Sequence, residues 1–198
     1  MSYDHIWREG TGTPLVLFHG TGSSKEDIVG LADHIAPGAP VLAMDGDVLE
    51  GPMRRFFKRT GEGVYDMGDL ARATAKMAGW LDEAFATYGI RDAVGVGYSN
   101  GANILANMVL TGQGPIRRSV WLHPLIPFAW EADLAGHEIL VTAGQRDPIC
   151  PWLQTQALIA QLRASGAAVE TALHPGGHEL RMEEVEAVKG FLGVKAAA

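Results

Sequence analysis

Apolar residues along this chain gather into short unbroken runs, separated by glycine-rich turns and longer amphipathic stretches. Leu15-Val16-Leu17-Phe18, Ala93-Val94-Gly95-Val96 and Ile139-Leu140-Val141-Thr142-Ala143 show no polar alternation, the pattern of strands covered on both faces. With weaker runs they predict strands over His5–Arg8, Pro14–Phe18, Pro40–Met44, Asp92–Val96, Ser119–Leu122, Glu138–Ala143 and Val169–His174. Between them the period changes. In Asp69–Tyr88 the residues Leu70, Ala73, Met77, Leu81 and Phe85 recur at spacings of three and four, which predicts a helix with one buried face. Pro151–Ala164 and Glu179–Phe191 read likewise, with Pro151 suited to a first helical turn. Strands alternating with helices imply an α/β fold: a mostly parallel central sheet of about seven strands, helices on both faces and no large lid. Asp45–Gly63 breaks the rhythm. It has no clear period and carries the cluster Met53-Arg54-Arg55-Phe56-Phe57-Lys58-Arg59, either a functional loop or a solvated basic turn.

The length of 198 residues suits one domain, 1–198, without repeat or linker. A net charge of −7 argues against a nucleic-acid binder, which needs a basic face for phosphates. The lone cysteine, Cys150, excludes an internal disulfide framework and a cysteine-rich metal site. No His, Cys or Asp spacing reads as a metal site, so neither metal nor cofactor is expected. The longest apolar reach, Ser119–Trp130, is too short to span a bilayer, and no membrane insertion is expected. The start Met1-Ser2-Tyr3-Asp4-His5 lacks the basic-then-apolar order of a secretory signal, so the expected setting is cytoplasmic. The tail Lys195–Ala198 reads as frayed.

In open α/β sheets the reactive groups follow the carboxyl ends of the strands. There the chain offers His19-Gly20-Thr21-Gly22, then Gly97-Tyr98-Ser99-Asn100-Gly101, then Gln145-Arg146-Asp147, then Gly176-Gly177-His178. The second fits G-x-S-x-G, a sharp strand-to-helix turn that lifts a serine clear of the sheet and needs glycines beside it. A serine hydroxyl needs a base within hydrogen-bond reach. Of seven histidines, His178 is the best candidate, with His123 and His174 as rivals because each also ends a strand; His19 reads as a prop for its own turn. Asp147 would orient the imidazole and, before Pro148, open a turn as well. The oxyanion would be met by the amides of Thr21 and Asn100. Two rival readings fail. Gly95-Val96-Gly97 approaches a dinucleotide fingerprint, but no acid occurs from Ser99 through Trp130 to hold a ribose, and Gly20–Lys25 lacks the ending of a phosphate loop. Arg54, Arg55, Phe56 and Phe57 are read as closing an apolar substrate pocket with a cationic mouth, with Trp152 (and Trp130) as further lining. Cys150 reads as a buried thiol packed under a loop.

Phe18-His19-Gly20-Thr21-Gly22, Arg55-Phe56-Phe57, Glu62-Gly63-Val64, Gly97-Tyr98-Ser99-Asn100-Gly101-Ala102-Asn103, Asp147-Pro148-Ile149-Cys150-Pro151 and Gly177-His178-Glu179-Leu180 occur in this order. Together they resemble the small bacterial carboxylesterase/phospholipase family of the α/β-hydrolases, which includes the hydroquinone-resistance type. More distantly the chain is similar to acyl-protein thioesterases, which usually carry Gln where Asn100 stands. The resemblance implies a lid-less α/β-hydrolase core with Ser99, Asp147 and His178 as triad, Thr21 and Asn100 at the oxyanion, and assembly as a homodimer. The function expected is a serine carboxylesterase acting on small-molecule esters. The alternatives are a thioesterase, a hydrolase of quinone-derived or enol esters, and an idle small-molecule sensor on the same fold.

Overall fold

Successive side chains of a strand face opposite sides of its sheet, and here each side meets its own helices. In the computed structural model, which describes residues 2–194, β2 (Leu15–Phe18) sends Leu15 and Leu17 to one side and Val16 and Phe18 to the other. The first side is covered by α1 (Lys25–Ile35) and α5 (Met182–Leu192), through Ile28, Ala32, Ile35, Val185, Val188 and Phe191. The second is covered by α2 (Met67–Tyr88), α3 (Asn100–Leu110) and α4 (Trp152–Ala164). Both faces being dry explains the unbroken apolar runs. The tail Lys195–Ala198 lies outside the described residues.

The remaining strands of the central sheet are β1 (His5–Arg8), β3 (Val41–Met44), β8 (Val94–Tyr98), β9 (Arg118–Leu122), β10 (Glu138–Gly144) and β11 (Ala168–His174). Their order is β1-β3-β2-β8-β9-β10-β11, seven strands, with only β1 antiparallel to its neighbour. From β2 the chain steps outward to β3, returns across the sheet, and continues from β8 in the opposite direction. The order therefore reverses between β2 and β8, and a crevice opens beyond their carboxyl ends. That is where His19–Gly22 and Ser99 lie.

Element bounds shift from the sequence reading by a residue or more, and the shifts beside the crevice matter most. β8 runs on to Tyr98, so the serine turn follows the strand without a spacer. Pro151 is the cap of α4, one residue outside it. α5 begins at Met182 where the sequence pattern starts it at Glu179, with Glu184 receiving the Arg181 amide at 2.8 Å to open it. The larger correction is Asp45–Gly63. It holds one small hairpin, β4 (Val48–Glu50) with β5 (Met53–Arg55), and the first strand of a second, β6 (Arg59–Gly61), which pairs with β7 (Val64–Tyr65) just beyond it. Strands of two or three residues are too short to show a period of two. No helix among the described residues is long and apolar enough to cross a membrane.

Candidate active site

Ser99 sits between β8 and α3 at φ 52 and ψ −115, a left-handed backbone that a serine occupies only when its surroundings enforce it. Its amide donates to the Leu122 carbonyl at 2.9 Å, tying the turn to β9. Two glycines make the turn possible. A Cβ on Gly97 would lie 2.6 Å from the Gly101 carbonyl, and one on Gly101 would press into the carbonyl of Phe18. The hydroxyl of Ser99 is 2.9 Å from Nε2 of His178, and Nδ1 of His178 is 2.7 Å from Oδ2 of Asp147. Tyr98 fixes the histidine loop from below, its hydroxyl donating to the His178 carbonyl at 2.7 Å.

Asp147 opens a turn and faces the imidazole at once. Its Oδ1 accepts the amides of Ile149 and Cys150 at 2.8 and 2.9 Å, forming the turn, while Oδ2 faces the imidazole. Burial by itself would raise its carboxyl pKa; the Cys150 amide, His178, His123 and the Ile149 amide outweigh this and hold it below the ordinary carboxylate range.

Thr21 and Asn100 flank Ser99 in the wall of a cavity of about 290 Å³, which also takes in Arg55, Tyr65, Cys150 and His178. The β4–β5 hairpin clamps both of them. Arg55 donates from a terminal nitrogen to the Thr21 hydroxyl at 2.7 Å, the Arg54 carbonyl accepts the Gly22 amide at 2.9 Å, and the Phe56 amide donates to Oδ1 of Asn100 at 2.8 Å. His19 props the same turn: its Nε2 accepts the Gly46 amide at 3.0 Å, so Nδ1 carries the proton and donates to the Gly20 carbonyl at 2.7 Å. Burial lowers its pKa and keeps it neutral.

No family model matches the chain. It is 37% identical over 187 residues to "Putative hydrolase MhqD" of Bacillus subtilis (strain 168), covering 92% of this chain and 94% of that one. The Bacillus cereus carboxylesterase structure superposes with a TM-score of 0.92 at 35% identity, over 96% of this chain and 93% of that one. A protein of unknown function from Agrobacterium tumefaciens str. C58, Atu2452, superposes with a TM-score of 0.89 at 46% identity, over 96% of each chain. The chain belongs to the carboxylesterase family of the α/β-hydrolases. It is an enzyme of the ester-cleaving hydrolase class, as its sequence led one to expect.

Within this carboxylesterase fold several sequence-predicted residues stand elsewhere than expected. Phe56 and Phe57 are 1% and 0% exposed and do not line the cavity. Phe56 packs on Phe18 and His19, and Phe57 on Tyr65, because the hairpin turns their rings into the core beneath the crevice. Arg54 reaches back to Gly46 and Asp45, and of the four residues read as closing the pocket only Arg55 reaches the cavity wall, joined there by Arg59. Trp152 opens α4 outside that wall, and Trp130 lines a separate groove against α4. Cys150 is closer to the chemistry than its sequence position suggests. Its thiol lies in the wall, 3.9 Å from Nδ1 of His178, and donates to the His123 carbonyl at 3.3 Å.

The rival histidines form a second layer behind Asp147. His123 Nδ1 is 3.0 Å from Asp147 Oδ2, the same oxygen that faces His178, and His123 Nε2 is 3.0 Å from Oε1 of Glu184. His174 Nε2 lies 3.1 Å from the other oxygen of Glu184. Glu184 escapes the sequence reading, although one signal was present. It shares the buried face of α5 with Val188 and Phe191, where an unpaired acid would be costly.

Proposed function

We propose that this enzyme hydrolyses small carboxylic esters through an acyl-enzyme formed on Ser99. His178 Nε2 takes the serine proton as Oγ attacks the ester carbonyl, then hands it to the departing alkoxide. A water activated by the same nitrogen releases the acid and regenerates the serine. Asp147 orients the imidazole and balances its charge while it holds the proton. The amides of Thr21 and Asn100 receive the oxyanion, pre-aimed by the hairpin clamp so that little reorganisation accompanies the charge. The observation that carries this reading is the row Ser99–His178–Asp147, at 2.9 and 2.7 Å, converging on a serine held at φ 52.

A cavity of about 290 Å³ suits a short acyl or aryl group better than a long chain. The wall near the hairpins is polar, formed by Arg55, Arg59 and Glu62. Arg55 is engaged with Thr21, so it anchors the hairpin to the oxyanion loop. The proposal keeps the cytoplasmic setting read from the sequence.

A fluorophosphonate probe should label the native enzyme and leave Ser99→Ala unlabelled. Across a panel of p-nitrophenyl esters of increasing acyl length, Ser99→Ala should lose at least about a thousandfold in turnover while staying folded. A folded Ser99→Ala protein retaining a tenth of the native activity would overturn the mechanism.

A further inference from the structure

Three side chains behind the triad have no part in the steps above, yet they are among the most deeply buried polar groups in the molecule. His123, His174 and Glu184 are 0, 2 and 0% exposed. His123 has the only other positive φ of a non-glycine among the described residues, 51 against 52 for Ser99. A strained backbone at a buried histidine implies that the position of its ring matters. The ring is met by charged or titratable groups from every side. Asp147 follows β10, Glu184 comes from α5, His174 ends β11, His178 stands on its own loop, Tyr98 ends β8, and the Cys150 thiol rests on its carbonyl.

Proton bookkeeping fixes the state of the cluster. His174 Nδ1 accepts the Gly176 amide at 3.0 Å, so its proton is on Nε2 and points toward Glu184. That nitrogen has no lone pair to offer, which removes the alternative in which His123, His174 and Glu184 bind a metal ion. His123 has a carboxylate oxygen 3.0 Å from each ring nitrogen, and carboxylates only accept. Both its nitrogens must therefore carry a proton. Contact with Glu184 and Asp147 raises its pKa in spite of burial, while Glu184 is held below the ordinary carboxylate range by His123 and Thr142 against its own burial. The nitrogens facing Glu184 lack a straight hydrogen bond, so charge more than alignment holds them there.

We infer that His123 and Glu184 are a positioning pair: a buried imidazolium, anchored by the Glu184 carboxylate, that locks the Asp147 carboxylate in the rotation His178 needs. Two amides hold Oδ1 of Asp147, and His123 and His178 approach Oδ2 from different sides, so neither oxygen can swing away. Asp147, His123 and Glu184 together carry one net negative charge, as a lone aspartate would, but spread over a rigid frame. Neither His123 nor Glu184 lines the cavity, so both act through Asp147 and not on substrate. The inference rests on the triad reading above.

The test uses the full chain. In long-range proton–nitrogen correlation spectra at about pH 7.5, the native enzyme should show one histidine protonated on both nitrogens, where an ordinary histidine is neutral. That signal should vanish in His123→Asn, an exchange chosen because asparagine tolerates positive φ. Glu184→Gln keeps size and removes charge. It should lose about ten- to a hundredfold in kcat, with KM within about twofold. His123→Asn should in addition move the acidic limb of kcat/KM to higher pH, because a cation 5.1 Å from the His178 ring is gone. A packing role would move neither kcat nor the limb in the isosteric variants. A neutral His123 in the native enzyme overturns the inference, and so does a folded Glu184→Gln with native kcat and pH profile. If Glu184→Gln does not fold, the native spectrum decides alone. If the native enzyme cleaves no ester, the functional reading fails, while the spectrum still decides the state of His123.

Discussion

On one side of Ser99, the residues that would face the oxyanion are held by a peripheral hairpin. Thr21 hangs from Arg55, and Asn100 from the Phe56 amide, while the acid nearest Arg55, Glu50, is 3.4 Å away and 41% exposed on its side chain. On the other side, His178 is held by Asp147, and Asp147 by a cluster closed off from bulk solvent, with side-chain exposure of 0% at Asp147, His123 and Glu184. The hairpin side works with backbone amides and one buried guanidinium, Arg55, which keeps its charge at any working pH. Its geometry should change little with pH. The histidine side works with charges in a low-dielectric interior, where each group depends on the ionisation of the next. The comparison predicts two kinds of sensitivity, mechanical on one side of the serine and electrostatic on the other.

The largest effect should come from the electrostatic side. Asp147→Asn keeps the shape of the carboxylate but asks an amide to orient His178, and kcat should fall by about ten-thousandfold in steady-state assays. The Thr21 side remains intact in that variant, so fluorophosphonate labelling should slow without disappearing. A loss smaller than tenfold would mean that something other than Asp147 orients the imidazole. Arg55→Met tests the opposite side. It removes the bond to Thr21 while filling a similar volume, and should lower kcat by about ten- to a hundredfold with the pH profile unchanged. A displaced acidic limb in Arg55→Met would show that the two sides are electrically coupled and that the contrast drawn above is false.

The sequence made one side far more legible than the other. Strand ends are marked by apolar runs giving way to Gly, Ser, Asp and His, so the layer holding Ser99, Asp147 and His178 could be read directly. The reversal between β2 and β8 then places Thr21 beside Ser99. What could not be read were contacts made by side chains distant in sequence. The aromatic and basic run at 53–59 suggested a pocket wall, because composition says nothing about which way the rings turn where the chain leaves a three-residue strand. The same blindness applied to His123 and His174, which looked like competitors for the base. Only the packing of α5, which inserts Glu184 between them, shows them as a shared support.

A smaller effect concerns folding stability. Asp147 and Glu184 have pKa values lowered on folding, so the stability they contribute is present above their ordinary values near pH 4 and is lost as pH falls through the folded ones. His123 is raised, so its contribution is complete below about pH 6.5 and is lost as pH rises through its folded value. The melting temperature should therefore be highest between roughly pH 5 and 6.5 and decline on both sides. Glu184→Gln should flatten both arms, and Arg55→Met should leave them as they are. Identical pH curves for native enzyme and Glu184→Gln would mean that the carboxylate is not charged in the fold.

The smallest effect should be at Cys150, whose thiol rests on the histidine side. Its thiol sits in the cavity wall, yet burial first and the Asp147 charge second push its pKa up, and its proton is committed to the His123 carbonyl. A protonated thiol is a poor nucleophile, so Cys150→Ser should keep kcat/KM within a few fold, the serine hydroxyl taking over the same donor role. Small uncharged thiol reagents should modify the native enzyme slowly, at least about a hundredfold more slowly than a free thiol. Each modified molecule should nevertheless be inactive, because the added group fills the wall 3.9 Å from the His178 ring. Cys150→Ser should be immune. Rapid modification would contradict the raised pKa, and full activity after complete modification would place the thiol outside the path of the substrate.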